Sequence, residues 1–256
     1  MRLRFLGTGT SCGVPFIGCT CPVCTSKDSH DKRLRTSALL EVDGKNILLD
    51  CGPDFRQQML QVPFRKLDAV LISHEHYDHV GGLDDLRPYC KFGDVNVYAE
   101  DFCATHLEER IPYCFTPKEK RYPGVPAINM LRISPHVPFD VDGVKITPLR
   151  VMHGKLPILG FRIGRLAYIT DMKTIADSEL PYLDDVDTLV INGLRHKEHG
   201  SHQTIDDAVM FSERIHAKHT YIIHLSHDIS LHSVEEAKLP EGIHIAYDGL
   251  EVDIQD

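Results

Sequence analysis

A run of metal-binding side chains, Ser73-His-Glu-His-Tyr-Asp-His79, constrains this chain more than any other feature. The potential ligands are His74, His76, Asp78 and His79. The preceding residues 67–73 have the apolar composition of a buried strand, and Val80-Gly-Gly-Leu83 turns the chain directly afterwards. Neutral imidazoles suit zinc, manganese, iron or nickel, and a carboxylate among them helps to hold two cations close together. The segment predicts a metal site at the C-terminal edge of a strand rather than a loop of solvated histidines.

Composition limits the classes of protein that this chain can belong to. No long Pro-, Ser- or charge-rich linker divides its 256 residues, so we expect one domain over 1–256. The net charge of −9 disfavours nucleic acid as a partner, although a local basic patch stays open. The amino terminus does not resemble a signal peptide, and no run of about 18 apolar residues could span a membrane. Eight cysteines without a secretory signal predict a cytoplasmic protein.

The apolar pattern predicts an α/β fold with two strand-rich halves. We expect strands over 1–7, 36–43, 46–51, 67–73, 95–99, 145–151, 160–164, 166–170, 187–191, 220–224 and 243–247, and helices over 100–110, 174–179, 204–216 and 233–237. Two strand-rich halves, each followed by helices, favour two sheets packed face to face with helices on the outside. His153, Asp171 and His224 each follow or end a predicted strand, so they could meet the 74–79 segment along one rim. Residues 111–127 carry four prolines and predict a surface loop, a lid or a dimer contact.

The pattern His74-x-His76-x-Asp78-His79, followed by His153, Asp171 and His224, resembles the metallo-β-lactamase superfamily over nearly the whole chain. The resemblance implies a four-layer αβ/βα sandwich with two mixed sheets. It implies that His74, His76 and His153 bind one metal, that Asp78, His79 and His224 bind a second, and that Asp171 bridges them. Asp50 would support the metal loop by hydrogen bonding. Antibiotic hydrolases commonly place a cysteine where this chain has Asp171, so the aspartate indicates the phosphodiesterase and thioesterase branches.

A second potential metal site lies in Gly18-Cys19-Thr-Cys21-Pro-Val-Cys24. The Cys-x-Cys-x-x-Cys spacing suits a tetrahedral structural zinc that still needs a fourth ligand. The cyclic-phosphodiesterase branch of the superfamily resembles the chain here, and the resemblance implies that His227 supplies that ligand. The alternative is three reduced thiols without metal. The other cysteines have no comparable spacing and are expected to be core or surface thiols.

The segment Gly200-Ser-His202-Gln-Thr204 precedes a predicted helix. His202 resembles the non-ligand catalytic histidine of the ribonuclease Z and cyclic-phosphodiesterase branches. An imidazolium near the departing oxygen could donate a proton and offset the charge that develops on the phosphoryl group. His202 and Asp78 are therefore our predicted catalytic residues. The alternative for His202 is a solvated histidine beside a helix cap, and His196 and His199 in the same loop are expected to face solvent.

The combined motifs resemble the phosphodiesterase branch that acts on phosphoribosyl 1,2-cyclic phosphate in phosphonate breakdown. They imply hydrolysis of a small cyclic phosphodiester by a hydroxide that bridges two zinc or manganese ions, with one further structural zinc. A second phosphate of that substrate would need a basic or backbone-amide pocket, for which Lys155, Lys173 and Arg195 are equal candidates. The alternative is that all three are solvated surface charges. The open alternatives are a ribonuclease Z-like processing enzyme, a glyoxalase II-like thioester hydrolase and a non-catalytic metal-dependent binding module. We expect a small-molecule substrate, no membrane partner, and leave a homodimer open.

Overall fold

The computed structural model describes residues 1–255, whose strands form two seven-stranded sheets. Strands are numbered along the chain. The first sheet contains β1 (Arg2–Gly7), β2 (Ser37–Val42), β3 (Lys45–Leu49), β4 (Ala69–Leu71), β5 (Val95–Glu100), β6 (Ile128–Ile133) and β14 (Glu251–Asp253). The second contains β7 (Phe139–Val141), β8 (Val144–His153), β9 (Leu156–Ile163), β10 (Leu166–Ile169), β11 (Thr188–Asn192), β12 (His219–Ile223) and β13 (Ile243–Ile245).

Both sheets change from antiparallel to parallel pairing along their width. The first has the order β14-β1-β2-β3-β4-β5-β6 and is antiparallel up to β3, then parallel from β3 to β6. The second has the order β13-β12-β11-β10-β9-β8-β7 and is parallel from β13 to β10, then antiparallel. Because parallel neighbours end at the same sheet edge, residues that follow β3, β4, β10 and β12 are brought to common edges.

Short helices cover the outer faces of the sheets. The α-helices are α1 (Pro22–Thr25), α2 (Phe55–Met59), α3 (Tyr77–Val80), α4 (Asp101–Arg110), α5 (Ile205–Ile215) and α6 (His232–Glu236). Five 3₁₀ segments span Ser29–Asp31, Leu83–Phe92, Pro112–Phe115, Lys118–Lys120 and Asp177–Leu183 within residues 1–255. A capping box in which Thr204 and Asp207 exchange side-chain-to-backbone hydrogen bonds begins α5. This cap fixes where the loop before α5 ends.

Three apolar clusters separate four layers of structure. The central cluster lies between the sheets and joins Phe5 and Leu40 of the first sheet to Phe161 and Tyr168 of the second. The other two lie between each sheet and its own helices. The predicted αβ/βα sandwich with two mixed sheets and outer helices is therefore confirmed. Within residues 1–255, no helix is long and apolar enough to cross a membrane.

Most predicted elements are present with shifted ends, but some predictions were wrong. The predicted helix over 174–179 does not form, because the backbone N–H groups of Lys173 and Thr174 donate to the Met152 carbonyl and hold this stretch against β8. A 3₁₀ segment begins only at Asp177. Strands β6, β7 and β14 were not predicted. Each is short or partly exposed and so lacks a long apolar signal.

The proline-rich residues 111–127 are pinned to the protein surface. The Tyr113 hydroxyl donates to Asp84 over 2.9 Å, and the Arg121 guanidinium pairs with both carboxylate oxygens of Asp94 at 2.8 Å. Cys114 and Ala127 are buried, whereas residues 117–120 are exposed. The predicted surface segment is present, and its role as a lid or dimer contact stays a prediction.

Candidate metal centre

The potential active-site ligands follow the ends of strands in both sheets. His74 lies after β4, His153 ends β8, Asp171 lies after β10 and His224 follows β12 directly. Asp171 and His224 adopt left-handed backbone conformations, with φ of 55° and 58°. A non-glycine residue in this region carries a conformational cost of about 1 kcal/mol or more, and such residues cluster at functional sites. The strained turns place the side chains at the sheet edge.

The ligand atoms form two neighbouring sets that share one carboxylate. The first set is His74, His76 and His153, and the second is Asp78, His79, Asp171 and His224, with all ligand atoms of each set within 4.8 Å of one another. Asp171 Oδ1 lies 3.4 Å from His79 Nε2 and 3.2 Å from His224 Nε2. Its other oxygen, Oδ2, lies 3.8 Å from His74 Nε2. The Asp171 carboxylate therefore stands between the two sets.

The spacing and chemistry of these atoms fit divalent cations. Ligands about 2.0–2.1 Å from a tetrahedral metal lie roughly 3.3 Å apart. His74 Nε2 and His76 Nδ1 are 3.0 Å apart, and His79 Nε2 and Asp78 Oδ2 are 3.2 Å apart. His79 Nε2 is buried and has no properly oriented hydrogen-bond partner within residues 1–255. A buried nitrogen of this kind needs a partner, and a cation would supply one.

Hydrogen bonds behind the ligands fix the orientation of the rings. Asp50 accepts from His79 Nδ1 over 2.7 Å and from the backbone N–H and the hydroxyl of Ser73 over 2.8 and 2.9 Å. His153 Nδ1 donates to the carbonyls of Asp171 and Ser201 over 2.8 and 2.9 Å. These contacts leave the Nε2 atoms of His79 and His153 free for a ligand. Ser73 was not among the predicted residues, although its position directly before His74 was a usable signal.

The charges of neighbouring histidines keep Asp171 ionised despite its burial. Burial alone would raise the pKa of Asp171, but the charges of His224 and His79 outweigh it and hold that pKa well below its ordinary value. Burial, followed by the charge of His79, lowers the pKa of His74 well below its ordinary value. For His79 burial acts in the same direction, but Asp171 and Asp50 outweigh it and raise its pKa. The cluster is made of carboxylates and histidine rings, the donors that zinc and manganese accept once the rings are neutral.

His202 lies against both ligand sets. Its ring centroid is 4.6 Å from that of His153 and 4.8 Å from that of His224, and its Nδ1 lies 3.9 Å from Asp171 Oδ2. Nδ1 is buried and has no hydrogen-bond partner within residues 1–255. Burial, followed by the charge of His224, lowers the pKa of His202 to about 3. The surroundings of the ring in the free protein therefore favour its neutral form.

The two other histidines of this loop do not simply face solvent. His196 Nε2 donates to the buried carboxylate of Glu235 over 2.9 Å. His199 Nδ1 accepts a hydrogen bond from the Ser201 backbone N–H over 3.3 Å. His196 is exposed, as expected, although it also bonds to Glu235, whereas His199 is half-buried rather than solvent-facing.

The cysteine trio and His227 form a second compact cluster. His227 Nδ1 lies 3.4 Å from Cys19 Sγ and 3.6 Å from Cys21 Sγ, and Cys24 completes a group with all ligand atoms within 4.8 Å. A hydrogen bond from the Cys24 backbone N–H is the largest influence on Cys21, and it lowers the pKa of that thiol to about 6. The Phe16 ring stacks on His227 at 5.2 Å. Four such ligands suit a closed tetrahedral zinc site.

The protein is an αβ/βα sandwich, with two mixed sheets packed face to face and helices outside. Histidines and aspartates at the sheet edge form a site of the kind that binds divalent metals. A family model described as a beta-lactamase superfamily domain matches residues 45–225, and the chain belongs to this superfamily. A crystal structure of a diphosphatase from the PhnP family is similar to the chain with a TM-score of 0.90 and 39% identity, covering 99% of this chain and 98% of that one.

Two further relatives widen the comparison. An octanoyltransferase of Porphyromonas gingivalis is 50% identical over 258 residues, which cover 100% of this chain and 52% of that protein. The chain therefore spans about half the length of this curated relative. The zinc-bound PqqB of Methylobacterium extorquens has a TM-score of 0.80 at 20% identity over 99% of this chain and 100% of that one, a likeness that shows the fold alone.

Proposed function

We propose that the chain is a dinuclear metal-dependent phosphodiesterase that hydrolyses a small cyclic phosphodiester such as phosphoribosyl 1,2-cyclic phosphate. The observation that carries the proposal is the position of Asp171, whose two oxygens face two different sets of ligand atoms. The residues that would hold the first cation are His74, His76 and His153, and those that would hold the second are Asp78, His79 and His224. Asp171 would contact both.

Divalent cations at these positions would supply Lewis-acid chemistry, because bound cations polarise phosphoryl oxygens and lower the pKa of water. The remaining work falls to side chains of the chain itself. Asp50 holds the His79 ring through a 2.7 Å hydrogen bond. His202 is placed beside the shared carboxylate, where a ring N–H can donate a hydrogen bond to the departing oxygen. A substrate phosphoryl group brings negative charge to His202 and so favours its protonated form.

The comparison with the PhnP-family diphosphatase supports cleavage of a phosphorus–oxygen bond, because that protein is 39% identical over nearly its whole length. Because that relative is described as a diphosphatase, a diphosphate is the first alternative to the cyclic phosphodiester as a substrate. The octanoyltransferase relative makes acyl transfer a second candidate function, since it is 50% identical. This chain covers 52% of that protein, so the acyl chemistry in its name can belong to the half that this chain does not match.

We also propose that Cys19, Cys21, Cys24 and His227 bind one structural zinc. The 3.4 and 3.6 Å distances between the His227 nitrogen and two sulfurs support the proposal. The site would join the amino-terminal loop to the segment after β12, three residues beyond His224. Its role would be to stabilise this part of the active-site rim.

The test is one substrate panel with the protein loaded separately with manganese and with zinc. The substrates are phosphoribosyl 1,2-cyclic phosphate, a diphosphate-bridged dinucleotide, a precursor transfer RNA, a glutathione thioester, an octanoyl thioester and a β-lactam. We expect the highest kcat/KM for the cyclic phosphate. Preferred turnover of the transfer RNA precursor or of either thioester would contradict the proposal and indicate a ribonuclease Z-like or acyl-processing enzyme. Turnover of no substrate by fully loaded protein would favour the binding module.

A further inference from the structure

The loop between β11 and α5 forms one wall of the metal centre and carries a histidine that the proposed reaction does not use. This histidine, His199, is half-buried, and its ring centroid lies 5.1 Å from that of His202. His202 in turn contacts the rings of His153 and His224. His199 therefore stands one ring farther out from the proposed cations than His202, where a second group of a bound substrate would lie.

Hydrogen bonding decides which nitrogen of His199 carries the proton. The Ser201 backbone N–H lies 3.3 Å from His199 Nδ1, and the Ser201 hydroxyl lies 3.2 Å from the same atom. A backbone N–H can only donate, so Nδ1 is the acceptor and the hydrogen of the neutral ring is on Nε2. Within residues 1–255, Nε2 has no hydrogen-bond partner in the structure. His199 thus presents an unused N–H donor.

Two cationic side chains stand near His199. The Arg195 Nε donates to the Lys197 carbonyl over 3.2 Å, and the Lys173 ammonium lies 3.2 Å from the Glu198 carboxylate, so both cations contact the loop within two residues of His199. Their side chains are mostly buried, with exposures of 24% and 20%. Lys155, the third cation considered from the sequence, is exposed. Arg195 and Lys173 are therefore better placed than Lys155 to bind an anion beside His199.

The carboxylate partners of these cations are more exposed than the cations themselves. Arg195 pairs with Asp228 over 2.8 Å, and Lys173 pairs with Glu198 over 3.2 Å. Asp228 is 49% exposed and Glu198 is 83% exposed. An ion pair to a solvent-exposed carboxylate contributes little to stability. An arriving anion can therefore replace one or both carboxylates without disturbing the fold.

We propose that His199, Arg195 and Lys173 form a subsite for a second phosphoryl group of the substrate. The inference rests on the proposed function, because it takes the first phosphoryl group to be the one cleaved at the metal centre. A terminal phosphoryl group offers three oxygens, which match the guanidinium fork of Arg195, the ammonium of Lys173 and the Nε2–H of His199. The substrate class is then a small molecule with two phosphoryl groups, one scissile and one used for recognition.

The kinetic test compares the cyclic phosphodiester of ribose with and without a terminal phosphate at the 5-position. We expect Arg195→Ala and His199→Ala each to lower the preference for the phosphorylated compound, measured as the ratio of kcat/KM values, by about 10- to 100-fold. His199→Gln, which can still donate from its amide, should recover part of that ratio. Lys197→Ala removes an exposed charge from the same loop and is the matched control, with an unchanged ratio. Equal losses on both substrates, or no loss on either, would overturn the subsite.

A second readout does not depend on turnover. In histidine side-chain ¹⁵N NMR, His199 should show the Nε2–H tautomer, and titration with methyl phosphate should shift its signals in the unmodified protein but not in Arg195→Ala. Absence of that shift in a protein that hydrolyses the unphosphorylated diester would overturn the subsite and leave the proposed function intact. A shift in a protein that hydrolyses neither diester would support the subsite while contradicting the phosphodiesterase.

Discussion

The two candidate metal sites differ in how the chain builds them. The cysteine site takes three of its four ligands from one short loop, Cys19 to Cys24, and only His227 from elsewhere. The histidine–aspartate site gathers its ligands from both sheets, after strands that are far apart in the sequence. The cysteine site is therefore nearly complete within one local segment, whereas the histidine–aspartate site forms only when both sheets have packed.

The sites also differ in what surrounds the ligands. Backbone N–H groups of Cys21 and Cys24 point at thiol sulfurs, and the Phe16 ring stacks on His227, so the cysteine site is closed by its own loop. Beside the histidine–aspartate site, the Nδ1 atom of His202 is left without a hydrogen-bond partner in the described part of the chain. A closed thiolate site suits a structural role, and a site with unsatisfied neighbouring donors suits chemistry.

The largest expected effect is that of Asp171→Asn, which keeps the shape of the side chain but removes the charge shared by the two ligand sets. We expect weaker binding of both cations and a loss of kcat/KM of about a thousandfold or more. Turnover and metal content per chain by mass spectrometry check this. Asp177→Asn alters an exposed aspartate and is the control. Retention of two active-site metals and full turnover would remove the distinction between the sites.

The next effect is that of His202→Ala, which separates chemistry from metal binding. We expect kcat to fall by about 10²- to 10⁴-fold, because a hydrogen-bond or proton donor at the departing oxygen is lost. Metal content should not change, since His202 is not one of the proposed ligands. The exposed His219, changed to alanine, serves as the control. If metal content falls together with kcat, His202 is a ligand and the proposed division of roles is wrong.

A smaller effect on turnover, but a clear effect on stability, is expected of Cys21→Ser. The variant should lose one zinc per chain and unfold about 5–10 °C lower, since a structural cross-link of a few kcal/mol is removed. Turnover should fall by less than about tenfold, because the proposed zinc lies outside the reacting centre. The exposed Cys12, changed to serine, is the control. A loss of turnover as large as that of Asp171→Asn would show that the two sites are not separate in function.

The smallest effect concerns the anchor of the loop that carries His202. Burial would raise the pKa of Glu235, but hydrogen bonds from His196 and from the Ser230 backbone outweigh it and lower this pKa to about 2 from 4.5. A lowered pKa in the folded state adds stability that is complete above about pH 4.5 and is lost as the pH falls toward 2.

Glu235→Gln should therefore reduce the free energy of unfolding by about 1–2 kcal/mol at neutral pH, and this difference should vanish between about pH 4.5 and 2. Urea unfolding at a series of pH values measures it. Glu213→Gln changes an exposed glutamate on α5 and is the control. A constant difference down to pH 2 would mean that Glu235 does not act through its charge.

Particular residues show where sequence reasoning succeeded. The two strand-rich halves predicted sheets packed face to face with helices outside, and the superfamily resemblance implied the four-layer αβ/βα sandwich. Potential ligands from distant strands meet because parallel strands share an edge. Where the pattern was weak, the prediction failed. Residues 174–179 have a helical composition, but hydrogen bonds to the Met152 carbonyl hold their start against β8. Such pairing is a tertiary contact and leaves no periodic signal in the sequence.

The sequence by itself determined the types of ligand and their order along the chain, since side-chain chemistry and spacing are local properties. Only the tertiary structure decided which atoms face one another. The position of Asp171 between the two ligand sets, the hydrogen bond from His79 to Asp50, and the different partners of His196 and His199 depend on backbone turns and on contacts between distant segments. Orientation of this kind is set by packing and hydrogen bonding, whose partners are distributed over the whole chain.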